Sequence, residues 1–173
     1  MKFKPLLLIV LCSALVACGI IKPQVVHYPH NQAVRFNGFE FSIEKISSGL
    51  RLTNQKPNPY ADTKSRWVVV TMNMKNTENT PIQYIYHPKF KLYSSSGAEY
   101  SEDLELGMLE NRKTGYNSLQ PINPQILIKR MIYFQVQPGS YDLAVVVPTS
   151  VRSGLVSTTT YGEKFVFDIP DVQ

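Results

Sequence analysis

Apolar and polar residues alternate in several short segments after residue 33. Residues 39–44 alternate strictly, which is the period of a half-buried strand. Residues 67–75 give the strongest signal, because apolar side chains recur at every second position: Val68, Val70, Met72 and Met74. The segments 126–136, 141–147 and 163–169 have the same character. The pattern predicts strands in all of these places, with turn clusters between them.

Two shorter regions are less regular. Residues 82–86 and 90–93 predict two brief strands on either side of His87 and Pro88. Residues 101–117 fit either a short helix that begins near Ser101 or a long loop over one end of the sheets. Seven or more strands and few helical segments together predict an all-β antiparallel sandwich. Arg130 interrupts an apolar strand face, so we expect it at a rim or in contact with solvent.

The N-terminus has the features of a secretory signal. Basic residues at positions 2 and 4 precede an apolar run that is too short to cross a bilayer, which takes about 20 residues. Leu15, Val16, Ala17 and Cys18 then resemble a bacterial lipobox. This resemblance implies that residues 1–17 are removed and that Cys18 carries acyl chains in a membrane. Gly19, in place of Asp, implies the outer membrane if the source is Gram-negative.

Removal of the predicted signal would change the net charge and the cysteine content of the chain. Loss of Lys2 and Lys4 with the signal lowers the formal charge from +5 to +3. The remaining basic residues are scattered, which argues against a nucleic-acid partner. Cys12 lies in the signal and Cys18 would carry lipid, so no thiol remains for a disulfide. We expect residues 18–33 to form a lipidated, flexible tether and residues 34–173 to form the sandwich.

A family resemblance covers residues 33–169. The segment 67–81, WVVVTMNMKNTENTP, resembles the central strand and turn of the domain-of-unknown-function 4352 group. Phe90-Lys91-Leu92, Gly97 and the segment 134–143 fall where that group has its next strands and turns, although Glu78 stands where it usually has glycine. The resemblance implies an immunoglobulin-like sandwich of secreted proteins and bacterial lipoproteins, and it transfers no catalytic residue.

Metal-ligating residues are sparse. His27 and His30 lie three residues apart, and Glu40, Glu44 or His87 could add a ligand. A flexible tether would not hold such ligands in place, so the two histidines are weak candidates for a metal site. An acidic group lacks the spacing of a calcium loop and is expected to be solvated: Glu99, Glu102, Asp103, Glu105 and Glu110. His87, which precedes a proline, is expected at the surface.

Catalytic and cofactor motifs are absent from the sequence. It has no serine nucleophile motif, no glycine-rich phosphate loop and no paired carboxylates in an evident cleft. We therefore predict a protein that is not an enzyme, with no cofactor. Its predicted role is a lipid-anchored module that contacts another, unidentified envelope protein. A ligand- or metal-binding lipoprotein and a hydrolase on a β-sandwich are the alternatives.

Tyrosines are the candidate contact residues. Tyr84 and Tyr86 would share one face of the predicted strand 82–86. Such a pair suits a protein- or glycan-binding patch, because tyrosine combines apolar area with a hydroxyl group. The same side chains could instead belong to the sandwich core with their hydroxyl groups at its rim. Burial is the more common outcome for such residues, so the core is the favoured location.

Overall fold

The computed structural model describes residues 25–49, 65–113, 115–152 and 158–173, and it shows two packed β-sheets. The strands are β1 (Val26–Pro29), β2 (Val34–Phe36), β3 (Phe39–Gly49), β4 (Arg66–Asn76), β5 (Lys89–Ser94), β6 (Glu99–Ser101), β7 (Leu127–Val136), β8 (Tyr141–Arg152) and β9 (Thr158–Asp168). A 3₁₀ turn spans Tyr84–Tyr86, and helix α1 spans Leu104–Lys113. The predicted signal and Cys18 lie outside the described residues. Within them, no helix has the length and apolar character that a bilayer crossing requires.

The two sheets form a sandwich, which confirms the predicted all-β fold. One sheet has the strand order β1-β9-β8-β5-β6, and the other has the order β2-β3-β4-β7. The antiparallel prediction has one exception among the described strands, because β1 pairs with β9 in parallel at the sheet edge. The core fills the space between the sheets, where apolar residues of both inner faces pack together.

The central strand β4 shows why the sequence folds this way. Val68, Val70, Met72 and Met74 are all fully buried, and the residues between them are half-buried. Strands β3 and β7 flank β4 on both sides. Opposite them lie the aromatic side chains of β9, of which Phe165 and Phe167 are buried and in edge-to-face contact with each other. Burial of the alternate residues therefore drives the association of the two sheets.

The sandwich begins earlier than the sequence predicted. Residues 26–29, assigned to the tether, form strand β1 and pair with residues 165–168. Tyr28 packs edge-on against Phe165, with 5.9 Å between the ring centroids, and also contacts Phe167. The flanking prolines concealed this strand in the sequence, but an edge strand tolerates proline because one side needs no partner.

The segment between β4 and β5 differs from the prediction. The sequence predicted a strand over residues 82–86, whereas the structure has an isolated bridge at Ile82 and then the 3₁₀ turn. The physical reason is the topology, since β4 and β5 belong to different sheets. Residues 77–88, which we call the crossing segment, must pass over the end of the sandwich, so their apolar side chains do not continue either sheet.

Helix α1 resolves the alternative between helix and loop at residues 101–117. The helix begins after Asp103, whose Oδ1 accepts a hydrogen bond of 2.9 Å from the backbone N–H of Leu106. Asp103 is thus the N-terminal cap rather than Ser101, which belongs to strand β6. Buried Asn111 fixes the helix to β7, because it donates to the carbonyl of Met131 and accepts from its N–H, at 2.7 Å each.

Candidate functional site

The 3₁₀ turn at Tyr84–Tyr86 presents large apolar side chains to solvent. Tyr84 is 52% exposed, Ile85 40% and Tyr86 36%. The core location that the sequence favoured for the two tyrosines is therefore wrong. An open cleft of about 280 Å³ lies beside the turn, with Phe39, Ile82, Tyr86 and Val147 among its lining residues. The turn and the cleft together form a surface with apolar area and tyrosine hydroxyl groups, which we call the tyrosine turn surface.

Buried Asn76 holds the base of this surface. Its side-chain N–H groups donate to the carbonyls of Thr80 and Ile122, each at 2.8 Å. Its Oδ1 accepts a hydrogen bond from the N–H of Glu78, also at 2.8 Å. Ile82 and Ile122 exchange two backbone hydrogen bonds, of 3.0 and 2.9 Å. Asn76, at the end of β4, thus joins the crossing segment to the segment that contains Ile122 and holds the base of the turn in place.

Arg130 holds the other end of the crossing segment. Its guanidinium donates to the carbonyl of Pro88 at 3.1 Å and to Glu102 Oε2 at 2.5 Å. It also lies over the ring of Phe90, 4.9 Å from the centroid. The expectations of a rim position for Arg130 and a solvated Glu102 are wrong, because their side chains are only 9% and 8% exposed. The opposite charge of the partner makes this burial tolerable.

Glu102 and Arg130 also form a specific electrostatic pair. Burial raises the pKa of Glu102, and the positive charge of Arg130 opposes that shift. Glu102 Oε1 accepts a further hydrogen bond of 3.3 Å from the N–H of Phe90. The pair therefore ties the start of β5 to β7, directly beneath the crossing segment.

His87 belongs to the same buried region, so its predicted surface position is wrong. The Tyr116 hydroxyl lies 3.5 Å from Nδ1 of His87. The Nε2 atom is buried, and none of the described residues gives it a hydrogen bond. Burial lowers the pKa of His87 and the charge of Arg130 lowers it further, while the backbone of Ile82 and Ser118 opposes the shift. The lowered pKa favours the neutral imidazole of His87, which lies buried beside Tyr116.

A second group of polar side chains lies on the outer face of the five-stranded sheet. His27 Nδ1 is 3.1 Å from Asp168 Oδ1, and Asp142 lies beside them. One ligand atom of each residue lies within 4.8 Å of the others. Sequence reasoning named His27 but missed Asp142 and Asp168, because the three residues come together only when three strands pair.

The other residues considered for a metal site lie apart from this group. His30 is exposed in the turn after β1 and is not part of it. Glu40 pairs with Arg35 at 2.7 Å, and Glu44 pairs with Lys129 at 2.7 Å, both on the four-stranded sheet. The acidic residue Glu99 contacts Lys91 and Tyr93. The predicted ligand combinations are therefore not assembled by the fold.

Solved structures with the same fold include two uncharacterised bacterial proteins. A conserved hypothetical protein from Bacillus anthracis aligns with a TM-score of 0.55 and 15% identity, over 68% of this chain and 89% of that one. A β-sandwich protein from Clostridium difficile 630 aligns with a TM-score of 0.53 and 14% identity, over 86% of this chain and 97% of that one. At these identities the likeness concerns the fold alone.

Sequence comparison identifies the family. A search of curated proteins returns no match. The family model described as "Domain of unknown function (DUF4352)" matches residues 28–155, which include the crossing segment, Asn76, Arg130 and helix α1. These matches name no enzymatic activity. The match spans most of the chain and agrees with the resemblance of residues 67–81, and the chain therefore belongs to the DUF4352 family.

Proposed function

We propose that this protein is a lipid-anchored module of the bacterial envelope that binds another envelope protein through the tyrosine turn surface. The observation that carries the proposal is the exposure of three consecutive large apolar residues, Tyr84, Ile85 and Tyr86, on a segment with a rigid base. Tyrosine is enriched at binding sites because its ring supplies apolar contact area and its hydroxyl supplies a hydrogen bond.

The base of the turn lowers the cost of binding. Asn76 and Arg130 fix the backbone on both sides of the three exposed residues through buried hydrogen bonds. A segment that is already ordered loses little conformational entropy when a partner binds. The buried polar groups thus act indirectly, since they keep the three exposed side chains in one arrangement.

The cleft indicates the chemistry of the partner. Half-buried Ile82 and exposed Tyr86 contribute apolar surface to it, and Glu78 and Gln83 are among the remaining lining residues. An apolar side chain of the partner would fill the cleft, and backbone or polar groups around it would meet the carboxylate and the amide. Such an anchor residue in a pocket beside aromatic contacts is the usual arrangement of a binding hot spot.

The proposed anchor at Cys18 would act together with this surface. Val26, the first residue of β1, follows Cys18 by eight residues, a distance of at most about 29 Å for an extended chain. The acyl chains would keep the domain close to the membrane and raise its effective concentration for a partner in the same membrane. An individually weak contact would then be sufficient.

Site-specific photocrosslinking in intact cells tests the proposal. A photoreactive phenylalanine analogue at position 84 should give a discrete adduct with one envelope protein. The matched control is the same analogue at Leu109, which is 59% exposed on helix α1. The adduct should weaken with Cys18→Ser and disappear with Ile85→Ser. Equal labelling from position 109, or no adduct from position 84, would contradict the proposed surface.

A further inference from the structure

We infer that His27, Asp142 and Asp168 form a binding site for a divalent transition-metal ion, with Zn²⁺ as the best match. The site lies on the outer face of the five-stranded sheet, because Tyr28, Leu143 and Phe167 face the core and their neighbours along the strands point outward. It is independent of the tyrosine turn surface and of the proposed partner.

The strand register brings the ligands together. Asp142 and Asp168 are directly opposite each other on β8 and β9. Pro29 of β1 lies beside Asp168, and His27, two residues earlier, points to the same face. The site therefore rests on three neighbouring strands, and the flexible tether that weakened the sequence-based argument for His27 is not involved.

The distances suit metal coordination after a small adjustment. Zinc binds nitrogen and oxygen ligands at about 2.0–2.2 Å, so two ligands of a tetrahedral site are about 3.4 Å apart. The 3.1 Å between His27 Nδ1 and Asp168 Oδ1 already meets that spacing. The widest separation in the group, within 4.8 Å, must shrink by rotation of side chains that are free to move at the surface.

The chemistry of the group also favours a cation. Two carboxylates directly opposite on adjacent strands repel each other, and an ion of charge +2 would relieve that repulsion. One imidazole nitrogen with two carboxylate oxygens suits zinc and its neighbours, whereas calcium prefers oxygen ligands throughout. Three protein ligands leave the fourth position of a tetrahedral zinc ion open. Water can occupy it, because the group lies at the surface.

Binding would join β1 to the rest of the sheet. Strand β1 has four residues, and among the described strands it pairs with β9 alone, at the edge of the sheet. A metal held by β1, β8 and β9 together would add a connection across all three strands. We therefore expect the ion to slow the local opening of β1, which lies within the segment that the sequence assigned to the tether.

Calorimetric titration of the full chain in detergent, purified without a polyhistidine tag, provides the test. Zinc sulfate should bind saturably at one site that His27→Ala or Asp168→Asn weakens at least about tenfold. His30→Ala is the matched control and should retain the affinity, because His30 is exposed nearby but is not part of the group. Calcium chloride should bind more weakly than zinc.

Hydrogen exchange of the β1 amides, measured with and without zinc, gives a second test. If His27 and Asp168 formed only a structural pair, zinc would not change this exchange. Zinc should slow amide exchange in β1 of the wild type, and it should have no effect on β1 in Asp142→Asn. Three results would overturn the inference: no saturable zinc binding, equal affinity after His27→Ala, or calcium binding at least as tight as zinc. The photocrosslinking result at position 84 does not bear on any of them.

Discussion

His87 and His27 place the same side chain in two opposite environments. His87 is 9% exposed and lies near Tyr116 and Arg130 at the end of the crossing segment. The side chain of His27 is 51% exposed and meets Asp168, which is 60% exposed. The comparison shows that burial, rather than residue type, separates a polar group that shapes the fold from one that is available to a ligand.

The two regions also differ in what their charges cost. In the buried region, Arg130 and Glu102 have lost their water and depend on each other and on nearby backbone groups. In the outer region, water still solvates Asp168 and His27, and their contact adds little to stability. Mutations should therefore have large effects on folding in the first region and small ones in the second.

Removal of Arg130 should give the largest difference between the regions. Arg130→Ala leaves Glu102 buried without its charged partner and removes the donor to Pro88, so we expect a loss of about 3–5 kcal/mol in the free energy of unfolding. Urea unfolding measures it. The control is Arg35→Ala, which breaks an ion pair in which the arginine side chain is 78% exposed and should cost about 1 kcal/mol or less.

A double variant sharpens this prediction. Arg130→Met combined with Glu102→Gln removes both charges while it keeps most of the volume, so it should recover part of the stability that Arg130→Ala loses. If Arg130→Ala were as mild as Arg35→Ala, the buried pair would not support the crossing segment, and the distinction between the two regions would fail.

The same distinction explains what the sequence could predict. Alternation at Val68, Val70, Met72 and Met74 was sufficient to place β4 and its buried face. A two-residue period of apolar side chains is typical of a strand with one face in the core. Arg130 occupies the same kind of position on β7, where its charge predicted a rim position or contact with solvent. Its burial depends on Glu102, twenty-eight residues away in sequence, and no local pattern contains that partner.

Tyr84 and His27 show a second limit. The apolar and aromatic character of residues 82–86 matched a strand, but the crossing between sheets placed the turn at the end of the sandwich. For His27, prolines on both sides suggested a tether, whereas parallel pairing with β9 made it a strand. In both cases the conformation depends on which strands become neighbours, and local composition does not contain that information.

The pH dependence of stability should report on the burial of His87. The folded-state pKa of His87 lies below its usual value of 6.5, so between those two values the unfolded chain binds more protons. Its contribution is thus fully present above about pH 6.5 and is lost as the pH falls toward the folded-state pKa. His87→Gln should remove this part of the pH dependence.

Urea unfolding at intervals from pH 5 to pH 8 measures the effect as a difference between wild type and variant. Glu102 acts in the opposite direction, because its raised pKa favours the folded state at low pH. Glu102 is present in both proteins, so its contribution largely cancels when the stability of the variant is subtracted from that of the wild type. An unchanged profile in His87→Gln would mean that His87 is not buried in solution.

The smallest effect is expected for the His27–Asp168 contact without metal. A double-mutant cycle with His27→Ala and Asp168→Asn, in the presence of a chelator, should give a coupling energy below about 1 kcal/mol that falls further at high salt. The Arg35–Glu40 pair supplies a matched cycle on the other sheet. A large coupling that salt does not weaken would mean that the contact is structural, as at Arg130.

A small coupling that becomes large only when zinc is added would show instead that the stabilising interaction is with the ion. The two side chains would then depend on each other because both bind the same zinc ion.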